Sequence, residues 1–310
     1  MMELNSKTIS EFINSQLAAW PMAAANFEAL AGVKVKELDV DGMPFKVQFN
    51  PARMASSGAK VDKASLAARP CFLCEKNRPE VQEGIDWKER YTVLINPFPI
   101  FRRHLTIPDT THTDQLIAGR IADMMDLAAA LEDYTVFYNG PRCGASAPDH
   151  MHFQAGNSDF LTIAPALEDT ELKTLLTDGD ATLSLADTLP VKVFVVDAKD
   201  PAAGERLFGR LLAAMPVPEG EKEPMLNLLC YPTPAGERLV VIPRKKHRPA
   251  CYGTEPGCML ISPASVDVGG VFITPRPEDF EAFTADTIKN ILDEVCLTAD
   301  EINTLASNVR

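Results

Sequence analysis

The run His150-Met151-His152-Phe153-Gln154 alternates polar and apolar side chains with the period of a β-strand. Taken as a strand, it puts His150, His152 and Gln154 on one face and sends Met151 and Phe153 into a core. Two imidazoles and an amide in line suit a metal ligand, a nucleophile and a donor that orients phosphate. A neutral imidazole attacks activated phosphorus when its second nitrogen is oriented by a hydrogen bond, often to a backbone carbonyl. His152 is the candidate nucleophile, and the Gln154 amide stands one strand step away to hold phosphate oxygens as charge develops. Upstream, Asn139-Gly140-Pro141-Arg142-Cys143-Gly144-Ala145-Ser146 is rich in small residues. Such a loop lets backbone amides around Gly144, and the side chains of Asn139 and Ser146, approach phosphates closely. An ordinary Gly/Pro turn has the same composition.

Cys71-Phe72-Leu73-Cys74 offers two thiolates from one tight turn, suited to two corners of a tetrahedral zinc site. A redox role needs a βαβ context, which the flanking Arg69-Pro70 and Asn77-Arg78-Pro79 do not supply. Only five histidines are available to complete a site. His112 follows the strand end at Ile107-Pro108, and His150 opens the polar ladder. A site of Cys71, Cys74, His112 and His150 would be closed and structural, and would leave His152 free for chemistry. The plain alternative is that one or both histidines lie on the surface.

The elements that must position these residues can be read from hydrophobic spacing. Residues 8–31 read as helix broken near Pro21, and Lys34 to Asn50 as a hairpin turning at Asp41-Gly42. Residues 51–69 read as a surface loop. Strands are expected at Tyr91 to Ile95, His104 to Ile107, Thr135 to Asn139 and His150 to Gln154. A helix is expected over Asp114 to Tyr134. Further on, strands are expected at Val191 to Val196, Leu226 to Cys230 and Arg238 to Ile242. Helices are expected at Ala203 to Met215, Asp279 to Asn290 and Ala299 to Ser307. A weak internal repeat matches Leu105-Thr106-Ile107-Pro108 and His112 with Val240-Val241-Ile242-Pro243 and His247. The second copy lacks a His-x-His, so one half alone would carry the chemistry.

The chain has 310 residues, 46% hydrophobic and 24% charged, as expected of a soluble globular protein with one large or two ordinary domains. A net charge of −13 argues against nucleic acid as a general partner. No apolar run approaches the roughly 20 residues of a transmembrane helix, and the first 21 residues lack a signal-peptide core, so neither membrane association nor secretion is expected. Seven scattered cysteines do not form a disulfide framework, and a cytoplasmic location is expected. The basic run Arg244, Lys245, Lys246 and Arg248 suits either phosphate or a solvated turn.

The ladder, the Cys-x-x-Cys pair and the strand ending in Ile107-Pro108 together resemble the histidine-triad superfamily. The likeness is greatest to its long, two-repeat branch, which holds galactose-1-phosphate uridylyltransferase, diadenosine tetraphosphate phosphorylase and GDP-hexose phosphorylase. The likeness runs from about Asn50 to Ala155 and, more weakly, from Leu226 to Ile273. It implies an α+β fold of two tandem repeats, each an antiparallel sheet with packed helices. Residues 1–185 would be the catalytic half with the zinc site, and residues 186–310 a degenerate half. It gives His152 the nucleophile role, Gln154 the phosphate-orienting role, and a structural zinc ion to Cys71, Cys74, His112 and His150. The stretch Leu94-Ile95-Asn96-Pro97-Phe98-Pro99 with Arg103-His104-Leu105 resembles the dinucleotide phosphorylases, which implies that Asn96 helps hold the nucleotide. One departure concerns the loop serine. Ser146 stands four residues before His150 rather than three, because Asp149 intervenes.

The implied activity is nucleotidyl transfer or phosphorolysis of a sugar nucleotide or dinucleotide polyphosphate through a nucleotidyl-histidine. The acceptor would be phosphate or a sugar phosphate. Hydrolysis, with water as acceptor, and a non-catalytic nucleotide-binding protein are the alternatives. Either a monomer or a homodimer is expected, since two repeats in one chain can replace the dimer of shorter relatives.

Overall fold

The computed structural model describes residues 4–54 and 63–309. Asn5 caps helix α1 (Ser6–Ala19) by accepting from the Thr8 amide at 2.9 Å, and Pro21 starts α2 (Pro21–Ala29) at a position that needs no N–H. β1 (Lys34–Val40) and β2 (Met43–Phe49) form the expected hairpin, with φ of +49° at Asp41 and +88° at Gly42. Both central residues have the positive φ that a tight hairpin turn demands. The expected loop at 51–69 lies partly outside the described residues; inside them, Lys63–Ala67 is a short helix, α3.

Ten strands then build one antiparallel sheet. The first five are β3 (Ile85–Trp87), β4 (Tyr91–Ile95), β5 (Leu105–Pro108), β6 (Tyr134–Asn139) and β7 (His152–Asn157). The second five are β8 (Lys173–Asp178), β9 (Ala181–Ala186), β10 (Val193–Ala198), β11 (Leu226–Thr233) and β12 (Gly236–Pro243). Their spatial order is β3-β4-β5-β7-β6-β11-β12-β10-β9-β8. Outward from the β6–β11 seam, where Tyr138 pairs with Leu228, both sets run in the same order. Helix α4 (Ile121–Ala130) connects β5 to β6, and α6 (Pro201–Ala214) connects β10 to β11 in the same way, with α5 (Ile163–Glu168) between the sets. This is the α+β, two-repeat, histidine-triad-like fold.

The repeat noticed in the sequence is misaligned. It matches β5 with β12, whereas the strand order puts β10 in the place of β5 and β12 in the place of β7. Two apolar strands ending in proline look alike whatever their place in the sheet. Likewise, residue 185 falls inside β9, and β8 and β9 pair with the later strands.

A second sheet of order β1-β2-β13 brings β13 (Val271–Thr274) parallel to β2. It packs with α8 (Pro277–Ala282) and α9 (Ala285–Val295) around Phe45, Phe272, Val195 and Ile291. The other core joins α1, α4, α6 and α10 (Ala299–Val309) around Ile9, Met125, Phe153, Leu207 and Leu305. Each fully buried side chain such as Phe153 contributes roughly 2 kcal/mol. A short helix α7 (Ser265–Val268) precedes β13.

Several expected elements are shorter. The helix expected over Asp114 to Tyr134 is confined to α4, because the Ile117 amide turns to the Glu223 carboxylate at 2.8 Å and Gln115 is buried by its own side-chain bonds. The helix expected over Asp279 to Asn290 breaks between α8 and α9, where Thr284 caps α9 through the Thr287 amide. Among the described residues no helix is long and apolar enough to cross a membrane.

Candidate active site

The strand expected at His150–Gln154 starts two residues late, so His150 and Met151 precede β7. Met151 and Phe153 still enter the core, and His152 and Gln154 face the other way, into a cavity of about 850 Å³. That volume lies within the roughly 300–1,000 Å³ of small-molecule sites. The ladder is therefore split. His152 and Gln154 line the cavity, and the His150 ring belongs to a separate cluster.

His152 is buried, and its Nδ1–H donates to the His150 carbonyl at 2.8 Å. A carbonyl only accepts, so Nδ1 carries the proton and Nε2 keeps its lone pair. Burial pushes the imidazole pKa down to about 4, so the ring is neutral near pH 7. Gln115 locks the backbone beneath it. Its Oε1 accepts from the His152 amide at 2.7 Å, and its Nε2 donates to the carbonyls of His152 (3.0 Å) and Asn139 (3.1 Å).

Gln154 is oriented by a second tautomer. The Ile100 amide donates to His104 Nδ1 at 3.2 Å, so the proton of His104 sits on Nε2, which donates to Gln154 Oε1 at 3.1 Å. Burial, with the charge of Arg53, lowers the His104 pKa to about 3 and keeps this donor neutral. With its oxygen engaged, Gln154 has its amide nitrogen left as the donor for a ligand. Asn96 also lines the cavity, with its Oδ1 accepting from the Phe98 amide (3.0 Å) and its Nδ2 donating to Thr106 Oγ1 (3.1 Å).

The small-residue loop lies beside His152. Asn139 Oδ1 accepts from Asn227 Nδ2 (2.9 Å) and the Ser265 amide (2.8 Å), which leaves its Nδ2 as its donor at the cavity wall. Gly144 has φ +96°, and a Cβ there would stand 2.5 Å from that of Ala264, so no larger residue fits the loop's approach. Ser146 lines the cavity and is exposed. The intervening Asp149 reaches Arg69 at 3.4 Å, and Arg69 also donates to the Ser146 carbonyl at 3.1 Å.

Cys71, Cys74, His112 and His150 converge as the spacing suggested, with their ligand atoms all within 4.8 Å of one another. Cys71 Sγ lies 3.3 Å from His150 Nδ1, and Cys74 Sγ 3.2 Å from His112 Nδ1. His150 Nε2–H donates to the Asp109 carbonyl at 2.8 Å, which turns its Nδ1 lone pair toward the thiols. Burial opposes ionisation of Cys71, but contact with the neighbouring His150 and hydrogen bonds from the Leu73 and Cys74 amides outweigh it and bring its pKa down to about 6. The four residues could hold one metal ion.

The basic run divides. Arg244 is buried and donates to Asn227 Oδ1 (2.5 Å) and to the carbonyls of Val295, Pro263, Lys246 and His247, so it does not meet a phosphate. Lys245 pairs with Glu301 and Lys246 with Glu294. Arg248 and His247 line the cavity. Sequence reasoning assigned Gln115 no role, and it placed His104 only at the start of a strand and within a resembling stretch. A lone amide inside an apolar helical spacing gives no signal, and the pairing of His104 with Gln154 spans 50 residues.

Residues 12–157 match the family model described as a domain of unknown function, DUF4922, and residues 189–310 match the one described as GDPGP1-like, C-terminal domain. No curated protein matches the sequence. Among solved structures, yeast Ap4A phosphorylase superposes with a TM-score of 0.61 at 19% identity, covering 90% of this chain and 97% of that one. The same enzyme in complex with Ap4A gives 0.59 at 19% identity, with the same coverage. In complex with AMP it gives 0.55 at 18%, covering 90% and 95%. At these identities the likeness establishes the fold, over nearly the full length of both chains.

Proposed function

We propose that this protein is a nucleotidyltransferase or phosphorylase that works through a nucleotidyl-His152 intermediate. The observation that carries the reading is the His152 tautomer. Its Nδ1–H is held by the His150 carbonyl and its Nε2 lone pair faces a nucleotide-sized cavity. The fold shared with yeast Ap4A phosphorylase supports it.

Nε2 attacks the α-phosphorus of a sugar nucleotide or dinucleotide polyphosphate. The P–N bond forms as the bond to the leaving phosphate breaks. Positive charge then grows on the imidazole, and the Nδ1–H···O=C bond to His150 strengthens against it. The Gln154 amide and the Asn139 amide, both at the cavity wall, stabilise the phosphoryl oxygens. Gly144 and Ser146 form the loop that receives the phosphates, and Asn96 supports Gln154 and the nucleotide. Phosphate or a sugar phosphate then takes the nucleotide from His152 by the reverse displacement. Each step inverts phosphorus, so the whole reaction retains configuration.

Cys71, Cys74, His112 and His150 fit a structural zinc ion. A tetrahedral S₂N₂ zinc site places sulfur and nitrogen donors roughly 3.5 Å apart, and here Cys71–His150, Cys74–His112 and Cys74–His150 lie 3.2–3.6 Å apart, with all four ligand atoms within 4.8 Å of one another. Bound zinc would supply rigidity and no chemistry at phosphorus. It would fix His150, whose carbonyl sets the His152 tautomer. Seven unpaired cysteines accord with the reducing cytoplasm. The catalytic residues lie in the first set of strands, before β8, and residues of the second half, among them His247, Arg248 and Ser262, complete the cavity.

The test is a panel of nucleotide sugars and dinucleotide polyphosphates, with and without inorganic phosphate, read by nucleotide product. Turnover that depends on phosphate or a sugar phosphate, and is lost in His152→Ala, is the expected result. Turnover independent of both acceptors identifies a hydrolase, and wild-type rates in His152→Ala reject the nucleophile.

A further inference from the structure

The second half brings its own charge to the cavity. Arg248, His247 and Ser262 line the same cavity as His152 and Gln154. The Arg248 guanidinium lies 4.0 Å over the Tyr252 ring, and its Nε donates to Ser262 Oγ at 3.0 Å. Stacking and one bond fix the plane of the fork. Among the described residues neither terminal nitrogen of Arg248 has a hydrogen-bond partner or an acidic partner. His247 beside it feels burial first, then the charges of Arg248, Arg142 and Arg244, which together hold it neutral, with a pKa of about 4.

This turn is mounted rigidly on the first half. Arg244 donates to the His247 and Lys246 carbonyls and to Asn227 Oδ1. Asn227 in turn donates to Asn139 Oδ1 and to the Cys143 carbonyl, both in the small-residue loop next to His152. Of the three arginines on the cavity wall among the described residues, Arg53 donates to the Phe98 carbonyl and Arg69 to Ser146 and Asp149. Among the described residues Asp267 is the one carboxylate on that wall, and it is engaged with the Ala264 and Ile273 amides. A chain of net charge −13 thus builds a positive cavity with one oriented guanidinium in reserve. A guanidinium fork matches phosphate oxygens two at a time.

We propose that Arg248, with His247 beside it, binds the acceptor phosphate, so that the acceptor is an anion, with inorganic phosphate as its simplest form, rather than water. This rests on the nucleotidyl-transfer reading above. An oxygen of the bound phosphate attacks the nucleotidyl phosphorus, the P–Nε2 bond breaks, and His152 leaves as neutral imidazole with its Nδ1 proton in place. The phosphate's own proton stays on the new terminal phosphoryl group. Water carries no charge for this arginine to neutralise.

The experiment separates the two half-reactions of the full chain, using a donor active in the panel and inorganic phosphate as acceptor. In Arg248→Met, labelling of the enzyme by the donor proceeds within about twofold of wild type, while the KM for phosphate rises at least tenfold, equivalent to about 1.4 kcal/mol of binding. Arg248→Lys keeps the charge without the fork and gives an intermediate KM; it also serves if the methionine variant does not fold. A phosphate KM within twofold of wild type in both variants overturns the proposal. Labelling that falls in parallel with phosphorolysis also overturns it, because Arg248 then serves the donor. A wild-type enzyme that never labels defeats the transfer reading itself, a separate outcome.

Discussion

Two buried histidines do opposite jobs with opposite tautomers. His152 carries its proton on Nδ1 because a carbonyl faces it, and His104 carries its proton on Nε2 because an amide N–H faces Nδ1. The first exposes a lone pair to the cavity, and the second pins the Gln154 oxygen. Gln154→Ala should lower kcat about 100-fold, the usual loss for one donor to a developing oxyanion, with a smaller change in KM. His104→Phe removes the donor and keeps the burial. It should lower kcat with KM little changed, and steady-state kinetics with one active donor checks both variants. A KM effect alone in either would place Gln154 in ground-state binding. His152 and Gln154 were legible because period-2 alternation sets them apart from their neighbours. His104 was not, because its meaning comes from a contact 50 residues away.

At the level of elements, the sheet positions His152 through a buried polar chain. Gln115 holds both backbone groups of His152, and Tyr138 donates to the Gln115 carbonyl at 3.1 Å. Glu223 meets Tyr138 Oη at 2.5 Å and the Ile117 amide at 2.8 Å. Burial raises the Glu223 pKa from 4.5 to about 7. The folded state therefore binds this proton more tightly than the unfolded chain. That contribution is full below about pH 4.5 and is lost as pH rises toward 7. Glu223→Gln imitates the protonated form, so it should flatten this part of the curve and be the more stable protein at pH 8. The difference is on the order of a few kcal/mol, read by denaturant unfolding from pH 5 to 8. A wild-type-minus-variant difference that does not change with pH would contradict the assignment. Gln115→Ala orphans the His152 amide and should cost about 2 kcal/mol in the same assay. None of this chain was readable in advance. The apolar spacing around Leu116, Ile117 and Ile121 suggested a helix, whereas Gln115 and Ile117 make non-helical bonds before α4 begins.

Across the whole molecule, most strands and helices followed from hydrophobic spacing, and the two-repeat architecture followed from the family resemblance. The register of the repeat did not, because β5, β10, β7 and β12 are told apart by pairing partners and not by composition. The Cys71-x-x-Cys74 turn found His112 and His150 across the fold. The proposed zinc site predicts that Cys71→Ser abolishes zinc uptake, as seen by elemental analysis, and lowers the melting temperature, since metal binding is coupled to folding. Full retention of metal would remove the site. The central claim is the covalent bond between His152 and the nucleotide. Mass spectrometry of enzyme quenched with an active donor in the absence of acceptor should find one added nucleotide on the peptide carrying His152. The label should be discharged by inorganic phosphate and absent in His152→Ala. A label on another residue, or none while phosphate-dependent turnover proceeds, would contradict it.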